Sequence, residues 1–99
     1  MAPHPVDNVH QDAPDPFAEA LRRSVLHDIG PRAEGVAYYD EDRLVQVRRV
    51  ITDRTEARRI LKRRAAQFAI LVRDLHTGAE YATGATWIGT DRVLKAVAV

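Results

Sequence analysis

The chain has 99 residues, of which 45% are hydrophobic, and it contains no cysteine. This length allows one domain with one modest core, and the lack of cysteine excludes disulfides, thiolate metal sites and cysteine nucleophiles. The formal net charge of +1 hides an asymmetry, because residues 1–42 carry nine acidic and three basic side chains while residues 43–99 carry five acidic and twelve basic ones. This division indicates an anionic partner for the second part, or an acidic segment that occupies it.

Residues 1–14 are predicted to form a disordered polar tail, and residues 15–99 a single domain. The tail contains three prolines and only two larger aliphatic residues, Val6 and Val9, so it cannot bury enough apolar surface to offset its ordering entropy. No basic region followed by an apolar stretch marks a secretory leader. The longest apolar run, residues 68–72, is too short to cross a bilayer. We therefore expect a cytoplasmic protein with no membrane association.

The first predicted helix begins at Asp15-Pro16, because aspartate caps free backbone N–H groups and proline is tolerated in the first turn. Gly30-Pro31 supplies its stop. Leu26 is predicted to lie opposite the apolar stripe, either as an ordinary exposed residue or as part of a partner surface. The stripe repeats every four residues and consists of Phe17, Leu21, Val25 and Ile29.

Two strands are predicted next, over residues 36–40 and 43–51, joined by the acidic turn 40–42. In the second strand the alternation places Val45, Val47 and Ile51 on one face. Arg49 interrupts that face, so its side chain must reach solvent or a carboxylate.

A second helix is predicted over residues 53–66. Asp53 and Glu56 have the spacing of a capping box, and the apolar stripe contains Ala57, Ile60, Leu61 and Ala65, with Arg64 packing its stem beside them. The remaining basic residues of this segment, Arg58, Arg59, Lys62 and Arg63, fall together on the outward face.

The rest of the chain reads as two further strands and a short terminal element. Residues 68–74 form a nearly continuous apolar run, which predicts a central strand. A hairpin turn is predicted at 76–79 and a further strand over 80–88. Within that strand, Gly84 indicates a bulge or a close backbone approach. Residues 90–99 fit a short helix or a strand, with the capping pattern at Thr90 favouring the helix.

The predicted order is therefore α-β-β-α-β-β plus a short C-terminal element. The simplest architecture is an α+β domain with a four-stranded mixed sheet and helices on one face. The predicted β-α-β unit consists of strand 43–51, helix 53–66 and strand 68–74, and its crossover is right-handed if the two strands are parallel. The predicted core consists of Phe17, Leu21, Val25, Val47, Ile60, Leu61, Phe68, Ile70 and Leu71.

Catalytic and cofactor motifs are absent from the sequence. Ser24 and His27 lie within the predicted helix without a nucleophile-elbow context, and the glycines lack the spacing of a phosphate loop. His4 and His10 lie in the polar tail, where a metal site is not predicted. We therefore expect a non-enzymatic protein with no cofactor and no metal.

The concentrated positive charge of helix 53–66 is the strongest functional signal. It predicts a binding module that engages an anionic macromolecule, either nucleic acid or an acidic protein surface. The opposing interpretation is a solvated helix face in an arginine-rich chain, since thirteen of the fifteen basic residues are arginine. A different class is an interaction or assembly module that forms a homo-oligomer through a sheet edge or Leu26. The predicted site consists of Arg54, Arg58, Arg59, Lys62 and Arg63.

Overall fold

The computed structural model describes residues 15–88 and the backbone of residues 93–94, so the predicted disordered tail lies outside the described residues. The described chain forms the helices α1 (Pro16–Ile29) and α2 (Arg54–Leu61). Its strands are β1 (Ala37–Asp40), β2 (Arg43–Ile51), β3 (Ala69–Asp74), β4 (Glu80–Thr83) and β5 (Val93–Leu94). The predicted α+β class and order of elements are confirmed. Neither helix is long and apolar enough to span a bilayer.

The sheet is antiparallel throughout, in the order β4-β3-β2-β1-β5, rather than mixed. The reason lies in the connection between β2 and β3. It contains the short helix α2 and brings the chain back to the end of β2, where β3 begins. Ile51 and Ala69, the residues that flank the connection, pair with each other, so it acts as a wide hairpin rather than a parallel crossover. Residues 93–94 form a strand against β1 rather than the favoured helix, and they add a fifth strand.

α1 begins and ends where the sequence predicts. The carboxylate of Asp15 accepts a hydrogen bond from the backbone N–H of Phe17 at 3.0 Å, and Pro16 occupies the first turn. The helix stops at Gly30, whose φ of 64° and ψ of −142° suit a residue without a Cβ.

A β-bulge in β2 divides its apolar residues between the two faces of the sheet. Val47 pairs with Val72, but the next pair along is Arg49 with Leu71, so Arg48 is an extra residue. Val45 and Val47 consequently lie on one face and Ile51 on the other, and the prediction that all three share a face is wrong. Arg49 reaches a carboxylate, as one of its two predicted outcomes requires: its Nη2 lies 3.3 Å from Glu56 Oε2.

Two apolar clusters cover opposite faces of the sheet. Ile29 at the end of α1 packs in the first, with Tyr38, Val45, Val47, Phe68, Ile70 and Val72. Ala57 of α2 packs in the second, with Ile51 and Ala69. Because Ala69 and Ile70 are consecutive residues of one strand, they point to opposite faces. The helices therefore lie on different faces, not on one as predicted.

α1 contributes less to the core than its apolar stripe predicts. Ile29 is its only buried residue, Leu21 and Val25 are half-buried, and Phe17 is 76% exposed. Of the other predicted core residues, Val47, Phe68 and Ile70 are buried, whereas Ile60, Leu61 and Leu71 are half-buried. The placement of Phe17 in the core is wrong, because α1 packs against the core cluster through Val25 and Ile29, about two and three turns further along the helix.

Replacing Phe17 by alanine is expected to change the free energy of unfolding by less than about 0.5 kcal/mol, as for other surface positions. Urea titration measures this. The matched variant Ile29→Val removes one methyl group at the buried end of the same helix and is expected to cost about 0.5–1.5 kcal/mol. A larger loss for Phe17→Ala than for Ile29→Val would contradict the exposed position of Phe17.

Candidate anion-binding site

The basic run of the sequence divides between a short helix and the turn that follows it. α2 starts where predicted, because the Asp53 carboxylate accepts from the backbone N–H of Thr55 at 3.0 Å. The expected reciprocal contact of a capping box is not made, since the Glu56 carboxylate binds Arg49 instead. The helix ends at Leu61 rather than at residue 66. Lys62 and Arg63 are therefore turn residues, and their predicted place on a helix face is wrong.

Lys62 ends the helix in a left-handed conformation, with φ of 56° and ψ of 42°. The backbone N–H groups of Lys62 and Arg63 both donate to the carbonyl of Arg58, the latter at 3.2 Å. This is the pattern of a helix C-terminus that usually carries glycine at the left-handed position. It reverses the chain and folds residues 63–66 back beside the end of α2.

Arg58 fixes this reversed segment from the helix side. Its Nε donates to the carbonyl oxygen of Ala66 at 3.1 Å, and the side chain is partly buried. The chain on both sides of the turn is thereby held together, and the neighbouring cations are brought to one place. Arg58 is thus a structural element of the site as well as one of its charges.

The result is a shallow, open depression whose lining residues are all cationic; we call it the basic hollow. Its lining residues are Arg58, Arg59, Lys62, Arg63 and Arg64. Within residues 15–88, no carboxylate oxygen lies within 4 Å of any of their charged nitrogens. Five positive charges therefore share one small surface without a neutralising partner from the described part of the chain.

The basic hollow differs in this respect from several cations elsewhere on the surface. Arg22 pairs with Glu19 at 3.1 Å, Arg49 with Glu56, and Arg73 with Glu80 at 2.8 Å. Those exposed pairs contribute little stability, but they cancel local charge. The turn that follows α2 therefore concentrates unpaired positive charge among the described residues.

Arg54 does not line the basic hollow, although the sequence grouped it with the other four site residues. It borders a separate groove of about 390 Å³ between α1 and the start of α2. The floor of that groove is mostly aliphatic, and its lining residues are Ala18, Leu21, Arg22, Val25, Leu26, Thr52, Arg54 and Gln67. Leu26 is 55% exposed but borders this groove, so it does not lie opposite the stripe.

Arg64 joins the site in place of Arg54. Helical geometry placed it in the apolar stripe, where its stem was expected to pack; this prediction is wrong because the helix has already ended, and Arg64 is exposed. The only sequence signal for its true position is its membership in the run of basic residues. Charge density thus locates the site better here than helical angle does.

A second polar cluster lies between the ends of β1 and β4. The hydroxyl of Tyr81 donates to Asp40 Oδ2 at 2.6 Å, and the guanidinium of Arg43 lies 5.3 Å from the Tyr81 ring centre. Burial raises the pKa of Tyr81, and the hydrogen bond to Asp40 adds to the rise. The described residues contain no group of three or more acidic or histidine side chains arranged to hold a metal ion. The basic hollow remains the better candidate for a functional site.

Comparison of the chain with protein-family models, with curated proteins and with solved structures finds no match. The side chains of the basic hollow nevertheless indicate a class of ligand. Guanidinium groups present paired N–H donors that match two oxygens of a phosphate or a carboxylate. The hollow is therefore suited to a ligand with several such anionic groups.

Replacing Lys62 by glycine is expected to raise the free energy of unfolding by roughly 0.5–1 kcal/mol. The left-handed conformation costs an L-residue about 1–2 kcal/mol and glycine almost nothing, while the greater freedom of glycine in the unfolded chain offsets part of the gain. Thermal and urea unfolding measure the change. Lys62→Ala is the matched control, because it removes the same charge but keeps the strain; equal stability of the two variants would contradict the left-handed assignment.

Proposed function

We propose that this protein is a small, non-enzymatic binding module that engages an anionic macromolecule through the basic hollow, with nucleic acid as the preferred partner. One observation carries the proposal: five cations converge on one surface and have no acidic partner among the described residues. Holding like charges together in this way is unfavourable unless a counter-charge is supplied from outside. Phosphate groups supply it, and they do so with little dependence on base sequence.

The shape of the basic hollow also supports a polymer rather than a small anion. The depression is open to solvent, and four of its five side chains, those of Arg59, Lys62, Arg63 and Arg64, are exposed. Small-molecule sites are usually concave and surround most of their ligand. An open cluster of exposed cations instead matches successive phosphates along a nucleic-acid backbone.

The test is a nucleic-acid binding titration of the whole protein at about 50 mM and about 200 mM salt. Affinity is expected to fall steeply between the two, since each neutralised phosphate contributes roughly −0.9 to the log–log slope on duplex DNA. A variant without most of the hollow's charge is expected to lose binding at both salt concentrations. This variant keeps Arg58, whose side chain donates a hydrogen bond to the Ala66 carbonyl. It replaces the other four lining residues by glutamine, namely Arg59, Lys62, Arg63 and Arg64.

A matched control separates the basic hollow from net charge. It removes the same number of charges from exposed positions elsewhere, at Arg22, Arg23, Arg43 and Arg48. None of these four residues lines the basic hollow, so this control is expected to keep most of the affinity. Equal losses in both variants would contradict a localised site. Binding to an acidic protein polymer, poly-glutamate, with none to nucleic acid would assign the hollow to an acidic protein surface.

A self-association module is the second candidate, and the surface of α1 favours it. Leu26 is 55% exposed and borders the partly aliphatic groove beside the helix, together with Leu21 and Val25. An apolar groove with an exposed leucine at its rim is typical of an interaction surface. Light scattering would give twice the chain mass if α1 pairs between copies, and Leu26→Ser would restore the monomer.

A further inference from the structure

Taking the proposed function as its basis, we infer that the basic hollow binds the phosphate backbone of a nucleic-acid duplex rather than a single strand. The five lining cations lie within the seven residues 58–64 and around one depression. Duplex DNA carries about one charge per 1.7 Å of helix axis, twice the density of either strand alone. A compact cluster of positive charge is matched best by this compact array of negative charge.

Single-strand binding normally adds stacking of bases on aromatic side chains, worth about 1–3 kcal/mol per base. The lining of the basic hollow contains no aromatic residue. Tyr38 and Phe68 are buried in the first core cluster, with 1% and 4% exposure. Trp87 is engaged edge-on with Tyr38 at a centroid distance of 5.8 Å. These rings are committed to packing and offer no platform for a base.

The remaining aromatic residues of the described chain also lie away from the basic hollow. Tyr81 is bound to Asp40, with Arg43 against its ring. Tyr39 is half-buried on β1, where it pairs with Leu44. Phe17 is exposed, but it belongs to the first turn of α1. A base that left its stack to enter the hollow would therefore gain no stacking partner from the hollow itself.

The backbone of the basic hollow is ordered before any ligand arrives. The bond from Arg58 Nε to Ala66 and the bond from the Arg63 N–H to the Arg58 carbonyl close the turn on itself. A turn whose backbone is already held loses less conformational entropy on binding, and a rigid partner adds no ordering cost of its own. The regular phosphate spacing of a duplex fulfils this condition, whereas a single strand must be ordered on binding.

The experiment is a fluorescence anisotropy titration of the full chain with a labelled mixed-sequence DNA duplex of about 16 base pairs, with each of its strands alone, and with the RNA duplex of the same sequence. The duplex is expected to bind at least about tenfold tighter than either strand at equal salt, with a log–log slope near −4.5 if all five cations contact phosphates. Equal affinity for the DNA and RNA duplexes would assign recognition to the shared phosphate ladder. A preference for one duplex would show which of the two geometries the hollow fits.

The double variant Arg59→Gln/Arg63→Gln is expected to make the slope on the duplex shallower by about 1.8, with a native circular dichroism spectrum. Arg23→Gln/Arg48→Gln is the control with the same net charge and is expected to leave the slope unchanged. Single strands that bind as tightly as the duplex, with the loss still confined to the first variant, would overturn the duplex inference and leave the proposed function standing. Absence of binding to every nucleic acid at low salt, by a natively folded protein, would overturn both.

Discussion

Replacing Arg32 by methionine is expected to lower the free energy of unfolding by roughly 2–5 kcal/mol, because a buried hydrogen-bond network is broken. Arg32 is only 4% exposed. Its Nε donates to the Ile29 carbonyl at 2.8 Å, and its Nη2 donates to the carbonyls of Asp28 at 2.8 Å and Ala85 at 2.7 Å. Methionine fills similar space but leaves the carbonyls of Ile29 and Ala85 without this donor, while the Asp28 carbonyl keeps its bond from the Trp87 backbone N–H. Each buried acceptor left unsatisfied costs about 1–3 kcal/mol.

The surroundings of Arg32 explain how a cation is stable there without a carboxylate, since the described residues place none within 4 Å of it. Two of its three acceptors belong to the last turn of α1, where the helix dipole is negative. Its guanidinium carbon also lies 5.6, 5.9 and 5.7 Å from the ring centres of Tyr38, Phe68 and Trp87. Carbonyl dipoles and aromatic faces together replace a counter-ion.

Arg32→Lys is the matched control for this prediction. Lysine keeps the charge but presents a single ammonium group, which cannot reproduce the planar fork that reaches three carbonyls. We expect Arg32→Lys to have a free energy of unfolding between that of the wild type and that of Arg32→Met. A urea titration with Trp87 fluorescence as the probe measures it. A loss below about 1 kcal/mol for Arg32→Met, in the usual range of surface substitutions, would show that Arg32 does not hold α1 to the sheet.

The parts of the fold that were predictable from the sequence are those fixed by local signals. Asp15-Pro16 and Gly30 bound α1 because capping and backbone conformation act over one turn. β2 has the predicted bounds because its β-branched residues lie between two turns. Both kinds of signal are contained within a few consecutive residues.

The errors arise where distant parts of the chain decide the structure. The bulge at Arg48 is set by the register against β3, and nothing in the local alternation marks it. α2 ends four residues before its apolar pattern does, because the chain must turn back to pair Ala69 with Ile51. The buried position of Arg32 depends on Ala85, which is 53 residues away.

The same distinction applies to the candidate site. The basic run itself is visible in the sequence, and four of the five predicted residues line the basic hollow. The exchange of Arg54 for Arg64 was not predictable, because it follows from the point at which the helix ends. Local charge density identified the segment, and only the chain reversal at Lys62 determines which of its side chains converge.

Replacing Gly30 by alanine is expected to destabilise the protein by roughly 3–5 kcal/mol, since backbone strain and steric overlap act together there. With φ of 64° and ψ of −142°, Gly30 has a conformation that residues with a Cβ rarely adopt. A Cβ at this position would also lie 2.5 Å from Trp87 Cγ and 2.7 Å from Trp87 Cβ. Trp87 cannot retreat easily, because its backbone N–H donates to the Asp28 carbonyl at 2.7 Å.

Gly78→Ala provides the matched control for this substitution. Gly78 also has a positive φ, of 80°, but no atom lies within 4 Å of the position its Cβ would take. Its loss is therefore expected to be limited to the backbone strain of about 1–2 kcal/mol. In a Trp87→Gly background, which also removes the Trp87 Cβ that lies 2.7 Å from the new Cβ, the cost of Gly30→Ala should fall towards the cost of backbone strain alone, because the two sites are in contact and are expected to couple by about 0.5–3 kcal/mol. Equal costs of Gly30→Ala with and without Trp87 would assign the whole effect to the backbone and contradict the close packing of the tryptophan against the end of α1.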